Sequence, residues 1–263
     1  MPGTAARAHG DGMGLNAPGI WRRRRRVSIG AIVSVVLVAL VGVATMAGFL
    51  DRDPVRLFAA QGAKRPVGVL YVSGDMGLRF GPAPYTTQAL AAQGLTVVGI
   101  NAPTAFRTRR TRTEIDAIVA DGVRRALAAS QADRLVLIGQ SYGADIVQTG
   151  LAALPADLRA HVAGVVLVVP GTSVFFRADP TGFAYRGTPD SRGAATLARL
   201  NWTPVTCIYG VAERDSVCPH VRLRNLRAIA MPGGHFLNED HAGLFGHILA
   251  AVRRAEPAAF AAR

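Results

Sequence analysis

The sequence predicts an α/β domain, a mostly parallel sheet with helices on both faces, preceded by one transmembrane helix. Three observations carry this. From residue 66 onward, nearly continuous apolar runs of strand length alternate with amphipathic stretches of helix length, the pattern of strands covered on both sides. A serine flanked by glycines, Gly139-Gln140-Ser141-Tyr142-Gly143, joins one such run to one such helix. An uncharged run of 24 residues, 27–50, follows five consecutive arginines, and about 20 apolar residues span a bilayer as a helix.

Residues 1–20 are rich in Gly, Ala and Pro without periodicity and are expected to be disordered. With Arg22 to Arg26 they form a basic tail, residues 1–26, whose cations should stay cytoplasmic. The chain is therefore expected to cross the inner membrane once and to place everything after residue 50 in the periplasm. A cleaved signal peptide is the rival reading. Its apolar region is usually about 7–15 residues, shorter than this run, although Gly42 and Ala44, or Thr45 and Ala47, could suit a peptidase.

The formal charge is +13, and the first fifty residues hold six Arg and one Asp, which leaves 24 basic and 16 acidic residues, net +8, for the remainder. Such a surface suits anionic lipid or acidic partners, or is simply solvated. No zinc-finger, helix-turn-helix or RNA-recognition signature accompanies it, so nucleic acid is not an expected partner. With half its residues hydrophobic, the chain has room for one sizeable core beyond the anchor.

Residues 51–65 read as a linker, 66–256 as the folded domain and 257–263 as a tail. The first strand, VGVLYV after Pro66, leads into Ser73-Gly74-Asp75-Met76-Gly77. This loop is either a plain turn or the donor of an oxyanion N–H from Asp75 or Met76. A helix over about 85–93 and a strand over 95–100 follow. The next segment, 101–112, gathers Arg107, Arg109, Arg110 and Arg112 at the ligand-binding edge of such a sheet, where they could meet a phosphate or an acidic surface, or be solvated. A helix over 113–129 precedes the strand 135–138 that ends at the serine.

Past the helix that follows Ser141 come a strand at 164–169 and an irregular segment, 170–200, of the kind that partly covers an active site. Its Phe175, Phe176, Phe183 and Tyr185 could line an acyl-chain site or pack the segment down. Strands at 205–210 and 226–231 and a helix over 240–254 complete the domain.

A strand that turns straight into a helix strains the residue at the corner, and flanking glycines leave room for it. Ser141 would then stand at a helix N-terminus, with the N–H of Tyr142 aimed at a developing oxyanion. Serine needs a base, and the base needs an acid that fixes its tautomer. His235 lies just after the last strand in Pro232-Gly233-Gly234-His235 and is the expected base. His9 and His161 lie too far away, His241 and His247 belong to the last helix, and His220 lacks the strand context. Asp215 is the preferred acid because its distance from the end of the strand at Gly210 lets it turn back. Glu213 competes with it, and Asp190 is a third candidate. The order Ser, Asp, His is that of α/β-hydrolases.

Cys207 and Cys218, in a segment expected to be exported, suggest a disulfide tying a strand to the loop with Asp215. Two buried thiols are the alternative. No metal-ligand spacing and no dinucleotide or phosphate-loop glycine pattern is present in the sequence, so neither a metal nor a cofactor is expected.

The segments LIGQSYGADIV, LPADLRAHVAGVVLV, CIYGVAERDSVCP and MPGGHF together resemble the VirJ family of bacterial virulence proteins and the matching domain of its relative AcvB. The resemblance covers roughly residues 64–252. It implies a periplasmic α/β-hydrolase fold with Ser141, Asp215 and His235 at the triad positions and Cys207 paired with Cys218. For AcvB-like members it also implies hydrolysis of lysyl-phosphatidylglycerol, an aminoacylated lipid whose headgroup the enzyme would meet at the membrane. VirJ is associated with type IV secretion, so secretion-system proteins are possible partners. A binding or chaperone role there, or an esterase of other acyl lipids, are the alternatives. The chain departs from the family at Gly74-Asp75-Met76-Gly77-Leu78, where Gly-Asp-Gly-Gly-Trp is expected, and before Thr113, where an aromatic cluster is expected.

Overall fold

The computed structural model describes residues 19–261 and Gly3. Most of the expected cytoplasmic tail, with His9, lies outside the described residues, as do the last two positions. The chain divides into two compact units, Met1–Val43 and Ala44–Arg263. Helix α1, Gly19–Ala47, begins in the first, and its stretch Ile29–Ala47 has a mean hydropathy of 2.6, long and apolar enough to cross a membrane.

The second unit contains, in chain order, β1 (Val55–Phe58), β2 (Val67–Val72), α2 (Ala83–Ala92), β3 (Thr96–Ile100), α3 (Ala102–Ala105), α4 (Arg112–Ser130), β4 (Arg134–Gln140), α5 (Tyr142–Leu151), α6 (Ala156–Arg159) and β5 (Val162–Val168). There follow β6 (Ser173–Val174), β7 (Ser191–Arg192), α7 (Gly193–Leu197), β8 (Val205–Gly210), β9 (Leu226–Met231) and α8 (His241–Ala255). Seven strands form one sheet in the order β1-β3-β2-β4-β5-β8-β9. All neighbours are parallel except β1 with β3.

Strand alternation divides the core. Leu70, Val72, Leu135 and Leu137 face α4 and α5 with Ile115, Val119 and Ile146. Val69, Tyr71, Val136 and Ile138 face α2 and α8 with Leu90, Leu244 and Ile248. Successive residues of a strand point to opposite faces, so apolar runs in the central strands require cover on both sides. This cover fixes the register that brings the ends of β4, β8 and β9 to one edge.

Residues 51–65, expected as a linker, contain β1, which pairs antiparallel with β3 from Val55↔Ile100 to Phe58↔Val97. The expected tail is also built in: Pro257–Phe260 forms a 3₁₀ turn, and the Arg65 guanidinium lies 4.2 Å from the centre of the Phe260 ring. The last turn of α1 is held by the second unit, of which Ala44 onward is part. Asn101 Nδ2 donates to the Ala47 carbonyl at 3.0 Å, Thr104 Oγ1 to that of Gly48 at 2.5 Å, and Arg79 Nη1 to that of Met46 at 3.0 Å. These donors satisfy carbonyls that a helix end leaves without intrahelical partners.

The four arginines of the 101–112 segment are engaged internally. Arg107 donates to the Phe49 and Asp51 carbonyls, Arg109 pairs with Asp190, Arg110 donates to Ala105 O, and Arg112 pairs with Asp116. Thr111 and Glu114 close a capping box at the start of α4, which sets where that helix begins.

Cys207 and Cys218 form a disulfide with their Cα atoms 5.6 Å apart, and both are buried. It closes a loop with a sequence separation of 11. Replacing both cysteines by alanine is expected to lower the unfolding free energy by about 3 kcal/mol in the chain-entropy picture. Urea unfolding of the oxidised wild type against the double variant measures this.

Candidate active site

Ser141 sits between β4 and α5 at φ 52°, ψ −123°, the strained corner expected of a strand that turns directly into a helix. The flanking glycines are obligatory for steric reasons. A Cβ on Gly139 would lie 2.5 Å from the Gly143 carbonyl oxygen, and one on Gly143 would lie 2.5 Å from that of Ser73. Positive φ at non-glycine residues otherwise occurs, among the described residues, at Gln131, Val169 and the run Leu237, Asn238, Glu239. Ser141, Val169, Leu237 and Glu239 line one cavity of about 1180 Å³. Strain gathers at this edge, as it commonly does at functional sites.

Ser141 Oγ lies 2.8 Å from His235 Nε2, and His235 Nδ1 lies 2.5 Å from Glu213 Oε1. The carboxylate beside the imidazole is therefore Glu213 and not the preferred Asp215. The turn explains the difference. The Glu213 N–H donates to the Gly210 carbonyl at 3.0 Å, and the Ala212 N–H to that of Gly233 at 2.9 Å. This tight turn presents the third residue after β8 to the loop after β9. By Asp215 the chain runs beside the covering segment instead: the Thr172 N–H donates to the Asp215 carbonyl at 2.8 Å, and Thr172 Oγ1 donates to the Asp215 carboxylate. Asp190, the third candidate, holds Arg109 and accepts from the Phe176 N–H at 2.8 Å.

The carboxylate of Glu213 accepts from Nδ1–H, which leaves Nε2 as the acceptor facing Ser141. Its hydrogen bond is the main cause of a His235 pKa above the ordinary histidine value, against the opposing effect of burial; the charges of Glu213, Asp75 and Asp215 add to it.

Tyr142 opens α5 with its ring buried against Phe106 and Tyr185. Its N–H, the first of the helix, has no intrahelical acceptor. The loop with Asp75 and Met76 borders the same cavity, and a Cβ on Gly74 would stand 3.4 Å from that of Ser141. The Asp75 carboxylate accepts from Tyr185 Oη at 3.0 Å. Burial raises the Asp75 pKa, and burial raises that of Asp145 well above the usual carboxylate range.

The covering segment splits the roles of its aromatics. Phe176 is buried in the core, Phe175 and Tyr185 line the cavity, and Phe183 is exposed. The wall is acidic: Asp75, Asp145, Glu213, Asp215, Glu239 and Asp240 line it with one arginine, Arg214. In a chain with 17 acidic and 30 basic residues, that reverses the overall balance.

The fold is shared with several solved structures. Est1E from Butyrivibrio proteoclasticus matches with a TM-score of 0.56 at 12% identity, over 75% of this chain and 93% of that one. A proline iminopeptidase from Mycobacterium smegmatis matches with a TM-score of 0.54 at 15% identity, over 78% and 95%. An α/β serine hydrolase homologue from Coxiella burnetii matches with a TM-score of 0.52 at 18% identity, over 74% and 89%. These likenesses establish an α/β-hydrolase fold. No curated protein sequence matches. The family model of the bacterial virulence protein VirJ matches residues 67–256, a span that runs from β2 to the end of α8 and includes Ser141, Glu213 and His235, and the chain therefore belongs to the VirJ family.

Proposed function

We propose that the chain is a serine esterase that hydrolyses the aminoacyl ester of aminoacylated phosphatidylglycerol, held in the inner membrane with its catalytic domain in the periplasm. The observation that carries this reading is the line Ser141, His235, Glu213 opening on an acidic cavity within a basic chain. Ser141 Oγ attacks the ester carbonyl carbon as His235 Nε2 takes its proton, and Glu213 stabilises the imidazolium. The N–H groups of Tyr142 and of Asp75 or Met76 hold the oxyanion. Collapse breaks the bond to the glycerol oxygen, which receives the proton from His235, and phosphatidylglycerol departs. Water then attacks the aminoacyl-serine, gives a proton to His235, and the amino acid leaves as that proton returns to Ser141.

The acidic wall supports an ammonium-bearing acyl group, with Asp75 and the exposed Asp215, Glu239 and Asp240 as the carboxylates beyond the triad that could meet it. The apolar helix and the disulfide support an exported, anchored domain. The test is amino acid release by the full chain in detergent micelles from lysyl-phosphatidylglycerol, set against fatty-acid release from unmodified phosphatidylglycerol. Lysine release is expected, and Asp75→Asn should weaken it roughly tenfold, the worth of one charged hydrogen bond. Fatty-acid release alone would point to an esterase of other acyl lipids. No turnover by the folded chain would point to a binding role.

A further inference from the structure

Beyond residue 50, the exposed large apolar side chains among the described residues are Leu57, Met76, Tyr85, Phe183, Val211 and Phe236. Leu57 belongs to β1. The other five line the cavity, neighbour its lining residues in sequence, or pack on one of them. Met76 and Phe236 line it, and Val211 precedes Ala212, which also lines it. Phe183 stands between the lining residues Pro180 and Tyr185. The Tyr85 ring lies 6.2 Å from that of the lining residue His241. Phe236 is 80%, Phe183 66% and Val211 64% exposed, values that a water-facing rim has no reason to keep, whereas exposed apolar patches usually mark an interaction surface.

We infer that this rim is a docking surface for a lipid bilayer, seated with the cavity opening against the headgroups. Two observations favour lipid over a protein partner. The first is the pairing of ring and cation: the Arg186 guanidinium lies 4.6 Å from the centre of the exposed Phe183 ring, and exposed Arg214 lines the cavity together with the exposed acids Asp215, Glu239 and Asp240. Apolar rings beside arginines suit the boundary between acyl chains and anionic headgroups. The second is continuity with the apolar helix. Gly77, next to Met76, packs so closely on the end of α1 that a Cβ there would stand 2.5 Å from the Ala47 carbonyl oxygen. The rim thus begins where the helix that would enter the bilayer ends. The apolar rim and the acidic cavity would divide the work, one meeting lipid and the other a cationic acyl group. The inference shares the membrane placement of the proposed function but not its chemistry.

The test adds one tryptophan at a time to the full chain in vesicles of phosphatidylglycerol and phosphatidylethanolamine, with and without bromine on the acyl chains. The variants are Phe183→Trp, Phe236→Trp and, as control, Ala156→Trp in α6, which precedes β5 and so lies at the opposite edge of the sheet. Emission is read as the difference from the parent chain. Quenching of at least about twofold is expected at 183 and 236, the depth at which interfacial side chains reside, with none at 156. Equal emission at all three positions would overturn the docking surface and leave a protein partner as the reading. Labelling the same vesicles with a fluorophosphonate separates the two ideas. A labelled serine without quenching rejects the rim alone, and quenching without labelling rejects the esterase alone.

Discussion

Replacing Ser141 by alanine is expected to lower amino acid release from lysyl-phosphatidylglycerol by roughly ten-thousand-fold or more, with the fold intact. The size follows from the role. A serine nucleophile and its histidine act as a unit, so losing either removes nearly all the catalysis that the set provides. Alanine needs no new space, although it inherits the positive φ of 52° at this corner. The strain is thus retained while the nucleophile is lost. Steady-state release measured alongside circular dichroism separates loss of chemistry from loss of fold.

The second large effect distinguishes two carboxylates two positions apart. Glu213→Gln is expected to reduce kcat by roughly a hundred- to ten-thousand-fold, the range set by removing an acid that orients its histidine. Asp215→Asn should cost less than about tenfold, since Asp215 faces Thr172 and reaches His235 only through its field. The pH profile adds an independent sign. His235 must be neutral to accept the serine proton, so kcat/KM rises with pH through its pKa, which Glu213 holds above the ordinary value. Removing that charge lowers the pKa, so the acid limb in Glu213→Gln shifts to lower pH. An unshifted limb, or a larger loss in Asp215→Asn, would return the acid's role to Asp215.

The central strands and the serine corner were legible because local rules fix them. Val67–Val72 and Val162–Val168 are continuous apolar runs, and the space around Ser141 is small enough to demand glycine at both flanks. His235 was legible because it follows a strand through Gly233 and Gly234. The carboxylate beside His235 was not, because the choice between Glu213 and Asp215 rests on a turn closed by Gly210 and on Thr172, 43 residues away in sequence. Strand β1 was hidden for a different reason. It is four residues long, half exposed and at the sheet edge, so nothing in VRLF separates it from a linker. The arginines of residues 101–112 left a ligand and simple solvation both open, because sequence shows charge but not the carbonyls and carboxylates that Arg107, Arg109, Arg110 and Arg112 engage.

The measurement that bears most directly on the account is the site of fluorophosphonate attachment in the full chain, located by mass spectrometry of the digested protein. An adduct on Ser141 in the wild type, lost in His235→Ala and much reduced in Glu213→Gln, is the predicted result. A folded wild-type chain that carries no adduct, or an adduct on another residue that survives in His235→Ala, would contradict it.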